Sequence, residues 1–350
     1  MAKKGSTELG KAFEYACLTA LSARYRSSQP VRVEDSPQLM AARKNFRQAS
    51  EQDRSNLMQA AMAAVRVIER LEPRLPHPGG DSPLILLLQP DAAGQKGDVR
   101  DVLCIRRKGE WELGLSCKHN HHAVKHSRLS DTLDFGKKWL GIPCSEQYFS
   151  AIRPLFDELR QMREESRESG TPALWEDLGE TAKMDRYYQP ILDAFLAELR
   201  RLDEQCRDVP ERLVRYLIGT HDFYKVITDD AHRCTRIEAA NLSRTLNQPS
   251  GRHSPITQVP VLKMPTRFYS IDFKEDSKNT VIVACNHGWE ISMRLHNASK
   301  RIEPSLKFDV QLESAPGTMY AETEPWDATV AEDKGWQAEL VAEAQASYDE

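Results

Sequence analysis

Within one short stretch of this 350-residue chain, carboxylate, hydroxyl and amino side chains recur at spacings that suit phosphodiester chemistry. Asp98 and Asp101 lie in Gly97-Asp98-Val99-Arg100-Asp101, and a β-type run ending in Ser116-Cys117-Lys118 follows. In that run the odd positions Trp111, Leu113, Leu115 and Cys117 are apolar, while Glu112, Gly114, Ser116 and Lys118 are polar or small. Period 2 therefore puts Glu112, Ser116 and Lys118 on one face. Asp101 opens the preceding run, and in a hairpin the start of one strand lies beside the end of the next, which brings its carboxylate toward Ser116 and Lys118. Cutting a phosphodiester needs a hard cation held by oxygen ligands and a group that positions or deprotonates the attacking water; carboxylates plus a lysine supply both. An Asp–Lys ion pair on a half-buried sheet is the competing structural reading.

The neighbouring residues favour chemistry. Asp98 adds a second carboxylate, and Glu14 and Glu8 come from a helix able to pack beside the strands. Directly after Lys118 the chain reads His119, Asn120, His121, His122, Lys125, His126 and Arg128. Residues 96–138 hold ten Lys+Arg and four His against six Asp+Glu, a surround suited to phosphates. A zinc site from Cys117, His119, His121, His122 and His126 is the rival, but no CxxC or HExxH supports it. A Cys117–His119 nucleophilic pair lacks a third, orienting residue.

The elements that must position these groups follow from periodicity. Apolar residues at helical spacing predict a helix from Ser6, and a second helical stretch over 38–71. Short β-type runs follow at 83–89, 101–107 and 111–120, the last two joined by a Lys108-Gly109-Glu110 turn. Helical patterns fill 145–243, and a Pro/Ser/Gly/Gln-rich linker spans 247–260. Short apolar runs at 267–273, 279–285, 289–295 and 306–312 predict a second β-rich unit. Its Asn286, His287, Trp289, Arg294, His296, Asn297, Lys300, Arg301 and Lys307 suit readout of a DNA groove. The expected domains are a nuclease core over 1–145, a helical region over 146–246, the linker, a β-rich DNA-contacting region over 261–320 and an acidic tail over 321–350.

The net charge of −4 argues against a nucleic-acid partner only until it is divided. Residues 313–350 hold ten acidic side chains and one lysine, a net of −9, so the preceding 312 residues carry +5. No apolar run approaches the roughly 18 residues of a membrane span, so no membrane role is expected. Seven scattered cysteines read as reduced thiols in a cytoplasmic protein.

An Asp at a strand start, 14 intervening residues and a tripeptide ending in Lys, behind an N-terminal helix bearing Glu, resembles the PD-(D/E)xK nuclease fold. The chain is more closely similar to HaeIII-type restriction endonucleases through GDVRDV at 97–102, GLSCKHNHHAVKHSRLS at 114–130, DFGKKWLGIPCS at 134–145 and HNASKRIEPSLKFDVQL at 296–312. The resemblance implies an α/β fold: a PD-(D/E)xK-like mixed sheet with flanking helices, a helical middle region and a second β-rich region. It also implies a Mg2+-dependent type II restriction endonuclease that cuts double-stranded DNA at the palindrome GGCC, leaves blunt ends and is paired with a cognate DNA methyltransferase. Asp101 and Lys118 take the motif's catalytic positions. Ser116 stands where the tripeptide usually begins with Asp or Glu, so a second metal-binding carboxylate comes from Glu14 first, or Glu112; Asp98 is a further candidate. The Pro90-Asp91 dipeptide is taken as coincidental, because the long apolar run follows Asp101. A palindromic target favours a homodimer. A DNA- or RNA-binding protein without catalysis is the alternative, with Ser116 reporting a lost acid.

Overall fold

The computed structural model describes residues 6–78, 80, 82–90, 92–95, 97–120 and 125–326. Two compact units emerge, each assembled from separated stretches: 1–122, 221–262 and 318–350 in the first, 123–220 and 263–317 in the second. The composition-based boundaries at 145, 246, 260 and 320 follow chain order, whereas both units cross them.

The first unit begins with α1 (Ser6–Arg26), whose Phe13, Ala16, Cys17, Ala20 and Leu21 recur at helical spacing and are buried. The 38–71 stretch is two helices, α2 (Pro37–Gln48) and α3 (Glu51–Leu71). Ser50 causes the break: it leaves helical geometry and its Oγ accepts the Asp53 N–H at 3.0 Å, capping α3. Strands β1 (Val31–Val33), β2 (Leu84–Leu88), β3 (Val102–Arg106) and β4 (Trp111–His119) follow, and β3 and β4 form the expected antiparallel hairpin.

Helical periodicity carries through to residue 243, but the structure corrects this. Residues 223–240 are β6 (Phe223–Asp229) and β7 (Cys234–Ala240), rich in aromatic and β-branched side chains that favour a pleated surface. With β12 (Ala321–Pro325) they complete a seven-stranded mixed sheet ordered β1-β2-β3-β4-β6-β7-β12. α1 and α3 pack on it and close the core. β12 also corrects the reading of 321–350 as a tail throughout: Arg66 and Arg70 pair with Glu324 and Glu322, and Trp326 is buried with its indole N–H on Thr235. Residues 327–350 lie outside the described set. The 247–260 segment is packed rather than a free linker, because the buried Asn247 amide donates to the Leu71 and Thr257 carbonyls and its oxygen accepts the Val259 N–H.

The second unit contains a five-stranded antiparallel sheet ordered β5-β11-β10-β9-β8. Its strands are β5 (Lys125–Leu129), β8 (Phe268–Phe273), β9 (Thr280–Cys285), β10 (Glu290–Asn297) and β11 (Leu306–Ser314). Four of them match the runs read from sequence; β5 lies outside those runs. Helices Glu146–Ser169, Gln189–Gln205 and Val209–Ile218 belong to this unit. Phe195 packs 4.8 Å from Phe135 and 5.2 Å from Phe308, ring centre to ring centre, and so joins helix to sheet. No helix among the described residues is long and apolar enough to cross a membrane.

Candidate active site

Asp101 sits at the mouth of the β3–β4 hairpin, and its backbone is pinned on both sides: its N–H donates to the Leu115 carbonyl at 2.7 Å and its carbonyl accepts the Gln89 N–H at 2.9 Å. Its Oδ2 accepts the Cys117 N–H at 2.7 Å and the Ser116 hydroxyl at 3.4 Å, and lies 3.5 Å from Lys118 Nζ. The convergence of Asp101, Ser116 and Lys118 expected from alternation is therefore present.

Glu14 lies on α1, the helix that packs against β4, and the Lys11 ammonium lies 3.1 and 3.2 Å from its two carboxylate oxygens. Burial, and then the charge of Asp101, push its carboxyl up to about 8, with Lys11 and Lys118 opposing part of that rise. A carboxyl this buried beside another carboxylate holds a proton near neutrality unless a cation takes its place. Glu8 is exposed in the first turn of the same helix.

Asp98 and Glu112 are held elsewhere. Both are bound by the buried Arg100, at 2.7 Å in each case. Burial alone would raise the Asp98 carboxyl, but its hydrogen bonds to Arg100 and Gln89 together with the charge of Arg100 outweigh this and hold it below the ordinary value. The two carboxylates considered as metal ligands are thus engaged by Arg100.

The zinc and thiolate readings lose their central residue. Cys117 faces Cys17 in the core, and that contact together with burial pushes its thiol well above the ordinary range, so it stays protonated. Among the described residues no group of three or more His, Cys, Asp or Glu is arranged to hold a metal.

The basic run after Lys118 divides between the units. His119 Nε2 lies 3.0 Å from Asp230 Oδ2, and Asn120, in the left-handed region at φ 55°, donates to the same oxygen and accepts the Asp230 N–H. Both residues thus anchor the β6–β7 turn. His121 and His122 lie outside the described residues. Lys125, His126 and Arg128 fall on β5, where Arg128 is exposed and bonds Ser305.

Register then joins Arg128 to Lys307 and Lys307 to His296 across β5, β11 and β10, and Arg294 pairs with Asp309 one step along. Lys300 is exposed in the loop between β10 and β11. Asn286 and Asn297 serve the fold instead of facing outward. Buried Asn286 holds the Thr266 and Arg267 N–H groups, while Asn297 bonds the Ser299 carbonyl and Tyr188. His287, at φ 64°, is within hydrogen-bond distance of Asn286, and Trp289 is core with its indole N–H on the Lys263 carbonyl.

Three residues near the site escape a reading of sequence alone. Arg100 is buried, although its type usually marks a surface. Lys225, in register beside Ser116 on parallel β6, is pushed down to about 8 by burial. Asp230 is the partner of His119, more than a hundred residues away in sequence. The aromatic and β-branched residues of the FYKVITD run were the available signal for the strand that carries Lys225.

A family model described as HaeIII restriction endonuclease matches residues 10–316. The chain is 39% identical over 323 residues to the Type II restriction enzyme HaeIII of Haemophilus aegyptius, covering 92% of this chain and 98% of that protein. No solved structure matches it. With a carboxylate, a lysine and a buried glutamate gathered at one end of a mixed sheet, and a match that spans nearly the whole sequence, the chain belongs to the HaeIII restriction endonuclease family and is a site-specific deoxyribonuclease acting on double-stranded DNA.

Proposed function

We propose that the chain is a type II restriction endonuclease that hydrolyses DNA with Mg2+ at GGCC, leaving blunt ends, and that Asp101, Glu14 and Lys118 are the residues that cut. The observation that carries this is the arrangement at one end of the sheet: Asp101 with the Lys118 ammonium 3.5 Å away, and the buried Glu14 on α1, the helix that packs against β4. The donor set fits magnesium, which takes one or two protein carboxylates and fills its remaining positions with water and phosphate oxygens. Asp101 and Glu14 would hold the ion. When bound, it would supply charge neutralisation at the phosphate and make water a better nucleophile.

The chain's own groups do the rest. The Cys117 N–H and the Ser116 hydroxyl fix the orientation of Asp101, and Lys118 orients the attacking water and steadies charge on the phosphate. Ser116 thus acts through Asp101, and Glu14 supplies the acid that the tripeptide lacks. The row of Arg128, Lys307 and His296, with Arg294, suits contact with phosphates or base edges on the second unit. A palindromic target favours a homodimer, the family implies a partner methyltransferase, and the reading fits a cytoplasmic enzyme.

The test is purified chain, plasmid and Mg2+. Discrete fragments whose ends read GG/CC support the proposal, and intact plasmid or a random smear contradicts it.

A further inference from the structure

Arg100 immediately precedes Asp101, and its side chain is only 5% exposed. Its Nε and Nη2 donate to both oxygens of Asp98 at 2.7 Å each, and Asp98 Oδ1 also accepts the Arg100 backbone N–H at 3.2 Å. Nη1 donates to Glu112 on β4 at 2.7 Å, and Gln89 at the end of β2 donates to Asp98 at 2.9 Å. The arginine stem lies directly on Gly114, where a Cβ would come within 2.0 Å of Arg100 Cδ and 2.6 Å of Cγ. Gly114 is therefore the residue that lets the guanidinium reach across the strand. One side chain ties the 98–101 segment to β4, and through Asp98 to the end of β2, one residue before the carboxylate at the centre of the site.

We infer that Arg100 is a positioning residue for DNA cutting: its guanidinium clamp fixes Asp101 and keeps Asp98 and Glu112 engaged, so that Asp101 and Glu14 alone face the reacting phosphate. The inference rests on the function proposed above. The chemistry of the clamp depends on a planar fork of donors, which a lysine cannot reproduce although it keeps the charge. Supporting residues of this kind are typically worth about 10–100-fold in activity or metal affinity.

The experiment compares wild type with R100K and R100A by melting, DNA binding without metal, calorimetric Mg2+ binding and cleavage kinetics. R100K is expected to keep its fold and DNA affinity, lose about tenfold or more in kcat with KM little changed, and bind Mg2+ more weakly. Guanidinium chloride at low concentration and constant ionic strength should restore part of the R100A rate, and sodium chloride should not. R100K cutting at the wild-type kcat overturns the inference, as does a folded R100A whose loss guanidinium leaves untouched. If R100A does not fold, R100K alone decides. Wild-type protein that never cuts overturns the proposed function, whereas wild type and R100K cutting alike overturn this inference only.

Discussion

The role proposed for Asp101 rests on two donors that converge on one oxygen, and that proposed for Lys118 on its distance of 3.5 Å from that oxygen. Asp101→Asn keeps the shape and removes the charge, so DNA binding should persist while Mg2+-dependent cleavage falls below detection in a plasmid assay. Lys118→Ala should cost on the order of 10²–10⁴-fold in kcat, the usual worth of a positioned proton-handling group. Glu14 predicts a pH effect. Its carboxyl is raised from 4.5 to about 8, chiefly by burial, so between those values the folded state binds more protons than the unfolded state. Stability of the metal-free protein should then fall as pH rises through that window, and Mg2+ affinity should rise as the proton leaves. Glu14→Gln should flatten both trends, measured by Tm and calorimetry from pH 5 to 9. An unchanged slope in the variant would assign the effect to another group.

At the scale of elements, β12 closes the edge of the larger sheet beside β7 and carries Trp326 into the core against Thr235. Trp326→Ala should cost about 3 kcal/mol in denaturant unfolding, the usual loss for a buried aromatic. A chain ending at residue 316 should melt well below one ending at 326, and equal melting temperatures would mean that β12 contributes nothing. The same strand marks where sequence stops being legible. The β3–β4 hairpin and β8 to β11 could be read because alternation and turn residues are local signals. β6 was hidden because Phe223 to Ile227 has no exposed face, so its strand character lies in residue type and not in alternation. β12 was hidden because the glutamates that make its sequence look like a tail are the ones that Arg66 and Arg70 hold.

For the whole molecule, the overall charge of −4 conceals a body of +5 and an end of −9. On the second unit the basic groups form a row, Arg128 to Lys307 to His296, that exists only because β5 pairs with β11. Arg128→Ala and Lys307→Ala should each weaken DNA binding about equally on any sequence and reduce the salt slope by about 1. A change in sequence preference with an unchanged slope would instead make them base readers. The arrangement of the proposed site was legible in part: alternation gave the convergence of Asp101, Ser116 and Lys118, and helical spacing gave the helix that carries Glu14. The engagement of Asp98 and Glu112 was not legible, because Arg100, which binds both, gives no sign in sequence that it is buried.

The most direct measurement is plasmid cleavage by wild type and Asp101→Asn side by side with Mg2+, followed by sequencing of the fragment ends. The account predicts discrete fragments ending in GG/CC from wild type and intact plasmid from the variant, which still binds DNA. Equal cutting by the two proteins would contradict it.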